Sequence, residues 1–241
     1  MEVFFTLLII FIEIVVGYLI GTISFARIIA SKKGVDITTV GSKNPGGTNV
    51  GRSVGRKEGI SVMIIDIFKS FIPCLILKII LSFAPLSIVS YSHIEEVFIG
   101  ILALFICLGH AYPIFFKFQG GKCVACVAGY LLLVSPIIFA LVFITFISIL
   151  IIKKTLSLSS VICSLVTIVS FIPPMILDIA FPNQIFNGGL YITNSFYIHL
   201  SYISFIFATT LALLTLYRHK SNIKRLIEKT EPITKFKHNE N

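Results

Sequence analysis

Residues 3–30 read VFFTLLIIFIEIVVGYLIGTISFARIIA, an apolar run interrupted only by Glu13 and Arg27. A helix needs about 20 apolar residues to cross a hydrocarbon core, so this run is expected to cross with some tilt. It is too long for a signal-peptide core, carries Glu2 where a basic segment would stand, and is followed by no small-residue cleavage site, so it is expected to remain in the mature chain. Gly17 and Gly21 lie one turn apart in it and permit close approach of a second helix.

Further apolar runs follow at 60–83, 97–116, 123–152, 156–177 and 196–216. The run 123–152 would overshoot a core of about 30 Å as one straight helix, at about 1.5 Å per residue. Pro136 lies inside it, which suggests two short spans meeting near Ser135-Pro136. The chain is 56% hydrophobic and 13% charged, where a soluble domain is about a quarter charged. The expected fold is all-α: a polytopic integral membrane bundle of seven transmembrane helices, a single domain over 1–227 followed by a polar tail at 228–241.

Charge sets the orientation. The intervals after the first, third, fifth and seventh spans are basic, while the others carry essentially no Lys or Arg, with Lys78 the one discordant charge. The positive-inside rule then puts the N-terminus outside and the C-terminus in the cytoplasm of a bacterial cell membrane. The net charge of +9 is spread over loops and the tail rather than over one face, which argues against nucleic acid and for membrane lipid as the surroundings. Asp66 and Lys69 share a helical face and are expected to form a structural ion pair that supports the first loop. Five cysteines in or beside apolar runs argue against a disulfide framework, and Cys123-x-x-Cys126 without a second pair is a weak metal or redox signal. No ligand cluster in the sequence suggests a metal, and no cofactor is expected.

Three polar elements on the expected cytoplasmic side carry the chemistry. The first is Gly41-Ser42-Lys43-Asn44-Pro45-Gly46-Gly47-Thr48-Asn49-Val50-Gly51-Arg52. Such a segment is either a turn-rich connector or a phosphate cradle, in which glycine-rich backbone, hydroxyls, amides and a terminal Arg converge on an anion. The second is Gly109-His110 with Lys117-Phe118-Gln119-Gly120-Gly121-Lys122, which lacks the upstream glycine and following Ser or Thr of a nucleotide loop. The third is Tyr217-Arg218-His219-Lys220-Ser221-Asn222, continuing to Arg225-Leu226.

These motifs, with Gly55, Asp66, Pro113 and Glu231, resemble the bacterial acyl-phosphate:glycerol-3-phosphate acyltransferases of the PlsY type, over nearly the whole chain. The resemblance implies transfer of an acyl group from acyl phosphate to the sn-1 hydroxyl of glycerol 3-phosphate, giving 1-acyl-glycerol 3-phosphate and phosphate, the first step of phospholipid synthesis. It implies a seven-span protein with a cytoplasm-facing site; a monomer is expected. It implies Ser42 and Arg52 as substrate and phosphate contacts, Lys122 as a phosphate ligand or carbonyl polariser, and His219 and Asn222 as positioning groups for glycerol 3-phosphate. Gly41, Asn44, Gly46, Gly47, Thr48, Asn49, His110, Gly120, Gly121 and Arg218 complete the expected substrate-binding set. The sequence departs from the pattern at Thr22 and Ser24 (usually Ser and Pro), Lys43 (Gly), Gln119 (Lys), Cys123 (Gly) and Cys126 (Thr).

An acyl phosphate is already activated, so charge stabilisation and positioning suffice and no covalent nucleophile is required. No His is followed by Asp five positions later, as the acyl-CoA-dependent type requires. His219 and the departing phosphate are both candidate bases, and His219 could equally do no more than cap its helix. A transporter for a phosphorylated solute is the competing class; it would be expected to show an internal repeat and mid-membrane ionisable groups. A structural membrane subunit is a third, which would leave the three convergent basic elements unexplained.

Overall fold

The first apolar run is not one continuous helix. In the computed structural model, which describes residues 2–83, 93–180 and 201–234, helix α1 (Glu2–Thr22) stops and α2 (Phe25–Ser31) begins after a break at Ile23–Ser24. A break leaves carbonyls without helical partners, and where they are buried another donor has to take them. Lys69 reaches across from α4 (Arg56–Ser82) to do so: its Nζ donates to Gly21 O at 3.3 Å and Ile23 O at 3.0 Å. The same ammonium lies 3.2 Å from Asp66 Oδ1 and 2.9 Å from His110 Nδ1. The pair expected to support the first loop thus also closes a gap in α1–α2.

The remaining helices are α3 (Gly47–Ser53), α5 (Ile94–Ala111), α6 (Val124–Val134), α7 (Pro136–Lys153), α8 (Leu156–Ala180), α9 (Tyr202–Arg218) and α10 (Lys220–Ile227), with a short 3-10 turn at Ile114–Phe116. No strand occurs among the described residues. Among the described residues five stretches are long and apolar enough to cross a membrane, namely Val3–Ser31, α4, Ile94–Phe116, α7 and α8, and α6 and α9 are shorter apolar helices. Large apolar side chains face outward along the long helices, among them Phe11, Ile72, Ile144 and Val169, while Phe98, Ile106, Tyr130, Phe171 and Leu211 form the interior. The molecule is an all-α, multi-pass membrane protein.

The break expected near Pro136 is present. α6 ends at Val134, Ser135 Oγ accepts from Ile138 N at 3.3 Å as the N-cap of α7, and Pro136 occupies the first turn, where its missing N–H costs nothing. α1 packs tightly on α5 because both are small where they cross. A Cβ on Gly21 would meet Ile106 O at 2.2 Å, and one on Gly109 would meet Tyr18 O at 2.1 Å. Lys78, the discordant charge of the sequence pattern, is buried and paired with Glu95. Most of the expected polar interval 87–96, all of 181–195, the beginning of the last span at 196–200 and the tail after 234 lie outside the described residues.

Lys69 offers a test of this architecture. Lys69→Met leaves Asp66 buried without its ammonium and two interior carbonyls unbonded, a cost of about 3–5 kcal/mol. Thermal unfolding of the purified protein in detergent should shift clearly downward. An unchanged midpoint would remove Lys69 from the forces holding the α1–α2 break.

Candidate active site

The first loop is tied together from within. Asn49, in the first turn of the loop's short helix, is buried, and all of its amide is used locally. Its Oδ1 accepts from Ser42 N at 2.9 Å, and its Nδ2 donates to Ile37 O and Val40 O, each at 3.0 Å. Asn49 therefore shapes the loop; its side chain is not turned toward a ligand. Lys43 holds φ 57, a left-handed bend that its side chain makes unfavourable. Ser42 stands exposed beside it. The first N–H groups of α3, at Gly47 and Thr48, lie beyond Gly46, where the helix begins.

The second loop is clamped by cations. Arg218 Nε donates to Gly121 O at 3.1 Å and Nη2 to Gly120 O at 2.8 Å, with its guanidinium 4.8 Å from the Tyr112 ring centre. Arg27 Nη2 donates to Gln119 O at 2.9 Å. Gly121 N donates to His110 O at 2.9 Å, and a Cβ on Gly121 would fall 2.1 Å from His110 Nε2. Only glycine admits this approach. Arg218, expected among the substrate contacts, donates from Nε and Nη2 to the loop that carries Lys122, and the His110 carbonyl accepts from the same loop at Gly121 N.

Lys122 itself joins a network reaching to the end of the described chain. Its Nζ donates to Asn222 Oδ1 at 2.6 Å, and Asn222 Nδ2 donates to Ser157 Oγ and to Glu231 Oε1, both at 2.8 Å. Ser157 donates to the same Glu231 oxygen at 2.5 Å, and Arg225 Nε donates to the other at 2.7 Å. Burial raises the Glu231 pKa, but these three hydrogen bonds outweigh it and hold the carboxyl below its ordinary value. Thr234 closes the arrangement: its Oγ1 accepts from Leu156 N at 3.1 Å, and Arg52 Nη2 donates to it at 3.4 Å.

Arg52 Nε is buried and makes no hydrogen bond among the described residues. Burial pushes the Lys122 pKa down to about 8; Glu231 opposes this, and Arg225, Arg52 and Arg218 add to it. Arg52, Arg218 and Arg225 thus all act on Lys122, with the Glu231 carboxylate as the opposing charge, an arrangement short of negative charge. His219, at the junction of α9 and α10, is buried, and its Nδ1 lies 2.8 Å from Thr215 O. A carbonyl can only accept, so Nδ1 carries the proton and Nε2 presents a lone pair. Burial first, then Lys122, lowers its pKa to about 4, so the ring is neutral near pH 7.

The structure thus brings Arg52, Lys122, Asn222 and His219 to one end of the bundle, with Arg218 behind them. No hydrogen bond joins the Ser42 hydroxyl to this group among the described residues. Ser157, Arg225, Glu231 and Thr234 are network members that no site assignment from sequence included. Arg225 and Glu231 at least stand in the recognised motifs, whereas Ser157 is one of several hydroxyl residues at the start of α8.

The sequence profile described as Glycerol-3-phosphate acyltransferase matches residues 11–229. The chain is 35% identical over 223 residues to "Glycerol-3-phosphate acyltransferase 2" of Bacillus cereus (strain ATCC 10987 / NRS 248), covering 92% of this chain and 93% of that one. It is 36% identical to "Glycerol-3-phosphate acyltransferase" of Ureaplasma parvum serovar 3, covering 89% and 84%. Crystal structures of PlsY, an integral membrane glycerol 3-phosphate acyltransferase, superpose with TM-scores of 0.70 for the glycerol 3-phosphate form and 0.68 for the lysophosphatidic acid form, each at 30% identity over 93% of this chain and 94% of that one. The chain belongs to the glycerol-3-phosphate acyltransferase family.

Proposed function

We propose that the protein transfers an acyl group from acyl phosphate to the sn-1 hydroxyl of glycerol 3-phosphate, releasing 1-acyl-glycerol 3-phosphate and inorganic phosphate. In this reading the chain has seven spans with the N-terminus outside, acts as a monomer, and turns its site to the cytoplasm of a bacterial membrane. The observation that carries it is the gathering of Arg52, Arg218 and Arg225 with Lys122, opposed by the carboxylate of Glu231. Two phosphates, one on each substrate, supply the negative charge that this cluster lacks.

The chemistry fits what the side chains offer. The hydroxyl oxygen attacks the acyl carbonyl carbon, the bond from that carbon to the phosphate oxygen breaks, and the hydroxyl proton ends on the released phosphate. Lys122 and Arg52 stabilise the charge that moves onto the leaving phosphate and the carbonyl oxygen. His219 Nε2 accepts the hydrogen bond of the attacking hydroxyl and aims it, while Asn222 fixes Lys122. With a pKa near 4 His219 is a weak base, which favours positioning by the ring and final proton uptake by phosphate.

The test uses purified protein in lipid with acyl phosphate, glycerol 3-phosphate and a phosphate-release readout, and acyl-CoA as a parallel donor. Phosphate should appear only with both substrates present, in step with 1-acyl-glycerol 3-phosphate, and acyl-CoA should be inert. Product from acyl-CoA would overturn the donor, and vesicle uptake of glycerol 3-phosphate without acylation would make the protein a transporter.

A further inference from the structure

Next to the second loop, three helices each contribute one metal-ligating side chain: Asp66 from α4, His110 from the end of α5 and Cys126 from the first turns of α6. One ligand atom of each lies within 4.8 Å of the other two. Cys126 is wholly buried, and the side chains of Asp66 and His110 are 4% and 9% exposed. Asp66 Oδ1 is buried, faces the Lys69 ammonium at 3.2 Å and lies 3.9 Å from His110 Nδ1. Carboxylate, imidazole and thiolate together form a donor set for a borderline-soft divalent ion.

We propose that Asp66, His110 and Cys126 form a binding site for a thiophilic divalent cation of the zinc and cadmium class, whose occupation inhibits the neighbouring active site. A cation already favours this place: Lys69 Nζ lies 2.9 Å from His110 Nδ1 and 3.2 Å from Asp66 Oδ1. The metal competes with that ammonium for both donors. Lys69 keeps its bonds to Gly21 O and Ile23 O when it yields them. The Cys126 thiol releases its proton on binding, and the thiolate and the Asp66 carboxylate then balance the divalent charge.

Inhibition follows from the contact between His110 and Gly121. The imidazole lies so close that Gly121 has no room for a Cβ, and His110 O holds Gly121 N at 2.9 Å. Coordination that turns the ring therefore displaces the loop bearing Lys122. This half of the proposal rests on the acyltransferase reading; the binding half does not.

The experiment titrates the full-length protein in detergent with cadmium chloride and follows the ultraviolet cadmium–thiolate charge-transfer absorption. The absorption should saturate near one cation per chain and vanish in Cys126→Thr. It should persist in Cys123→Gly, because the Cys123 thiol is engaged with Cys107 O at 3.2 Å. Phosphate release should fall with the same midpoint in the wild type, and Cys126→Thr should need about tenfold more cadmium or beyond. Absence of the absorption from folded wild-type protein, or its survival in Cys126→Thr, overturns the site. Absorption that behaves as expected in a preparation without acyl transfer supports the site and sinks the acyltransferase reading instead.

Discussion

Lys122→Ala should lower kcat/KM for glycerol 3-phosphate by about 30-fold to several thousand-fold, the range for removing one partner of a desolvated charge pair. The ammonium is held by Asn222 at 2.6 Å, which is fixed in turn by Glu231 and Ser157, so substrate meets it already aimed. The pH dependence has a definite sign. Burial lowers the Lys122 pKa to about 8, so the free protein carries the charge below that pH and loses it as pH rises through it. The kcat/KM profile should fall on the alkaline side near pH 8, because that ratio reports the free enzyme. In Lys122→Arg, whose guanidinium stays charged, the fall should move to higher pH even where absolute activity is reduced. A pH profile identical in the two proteins would exclude Lys122 as the titrating group.

Arg52→Ala should be comparably damaging to activity and mild for the fold. The one hydrogen bond found for its side chain among the described residues is the 3.4 Å contact to Thr234, and its Nε makes none. A buried donor kept without a partner is costly for stability, and under the proposed function a substrate phosphate would supply that partner. The variant should unfold at nearly the wild-type temperature while KM for the phosphate-bearing substrates rises at least about tenfold. Arg52→Lys should restore little, since an ammonium cannot reproduce the planar two-point contact with phosphate. Wild-type rates in Arg52→Ala would remove this residue from the site.

The sequence shows the bundle wherever a residue's local chemistry agrees with its place in the fold. The long apolar runs are visible, and Pro136 marks the α6–α7 break because proline cannot donate within a helix. The α1–α2 break is invisible for a complementary reason. Ser24 carries no such mark, and the group that satisfies the freed carbonyls is Lys69, on another helix. The loops were legible as polar, glycine-rich elements, but not which groups face inward. Asn49 and Arg218 look like ligand contacts by type, yet backbone carbonyls inside the two loops claim their donors. Ser157 and Thr234 meet the site through chain separations that no local spacing encodes. The end of the chain looked polar and frayed, yet through Glu231 and Thr234 it completes the network. The Asp66, His110 and Cys126 cluster escaped for the same reason, each member lying on a different helix.

His219 is at once the last cap of α9 and the first of α10. α10 is short and basic, with Lys220, Lys224 and Arg225, and Ile227 at its end is largely uncovered, the composition of a helix that rests on a lipid surface. Asn222 sits on its first turn, so the imidazole and the amide that steadies Lys122 ride on one lever. A tilt of α10 would therefore re-aim both groups in a single movement.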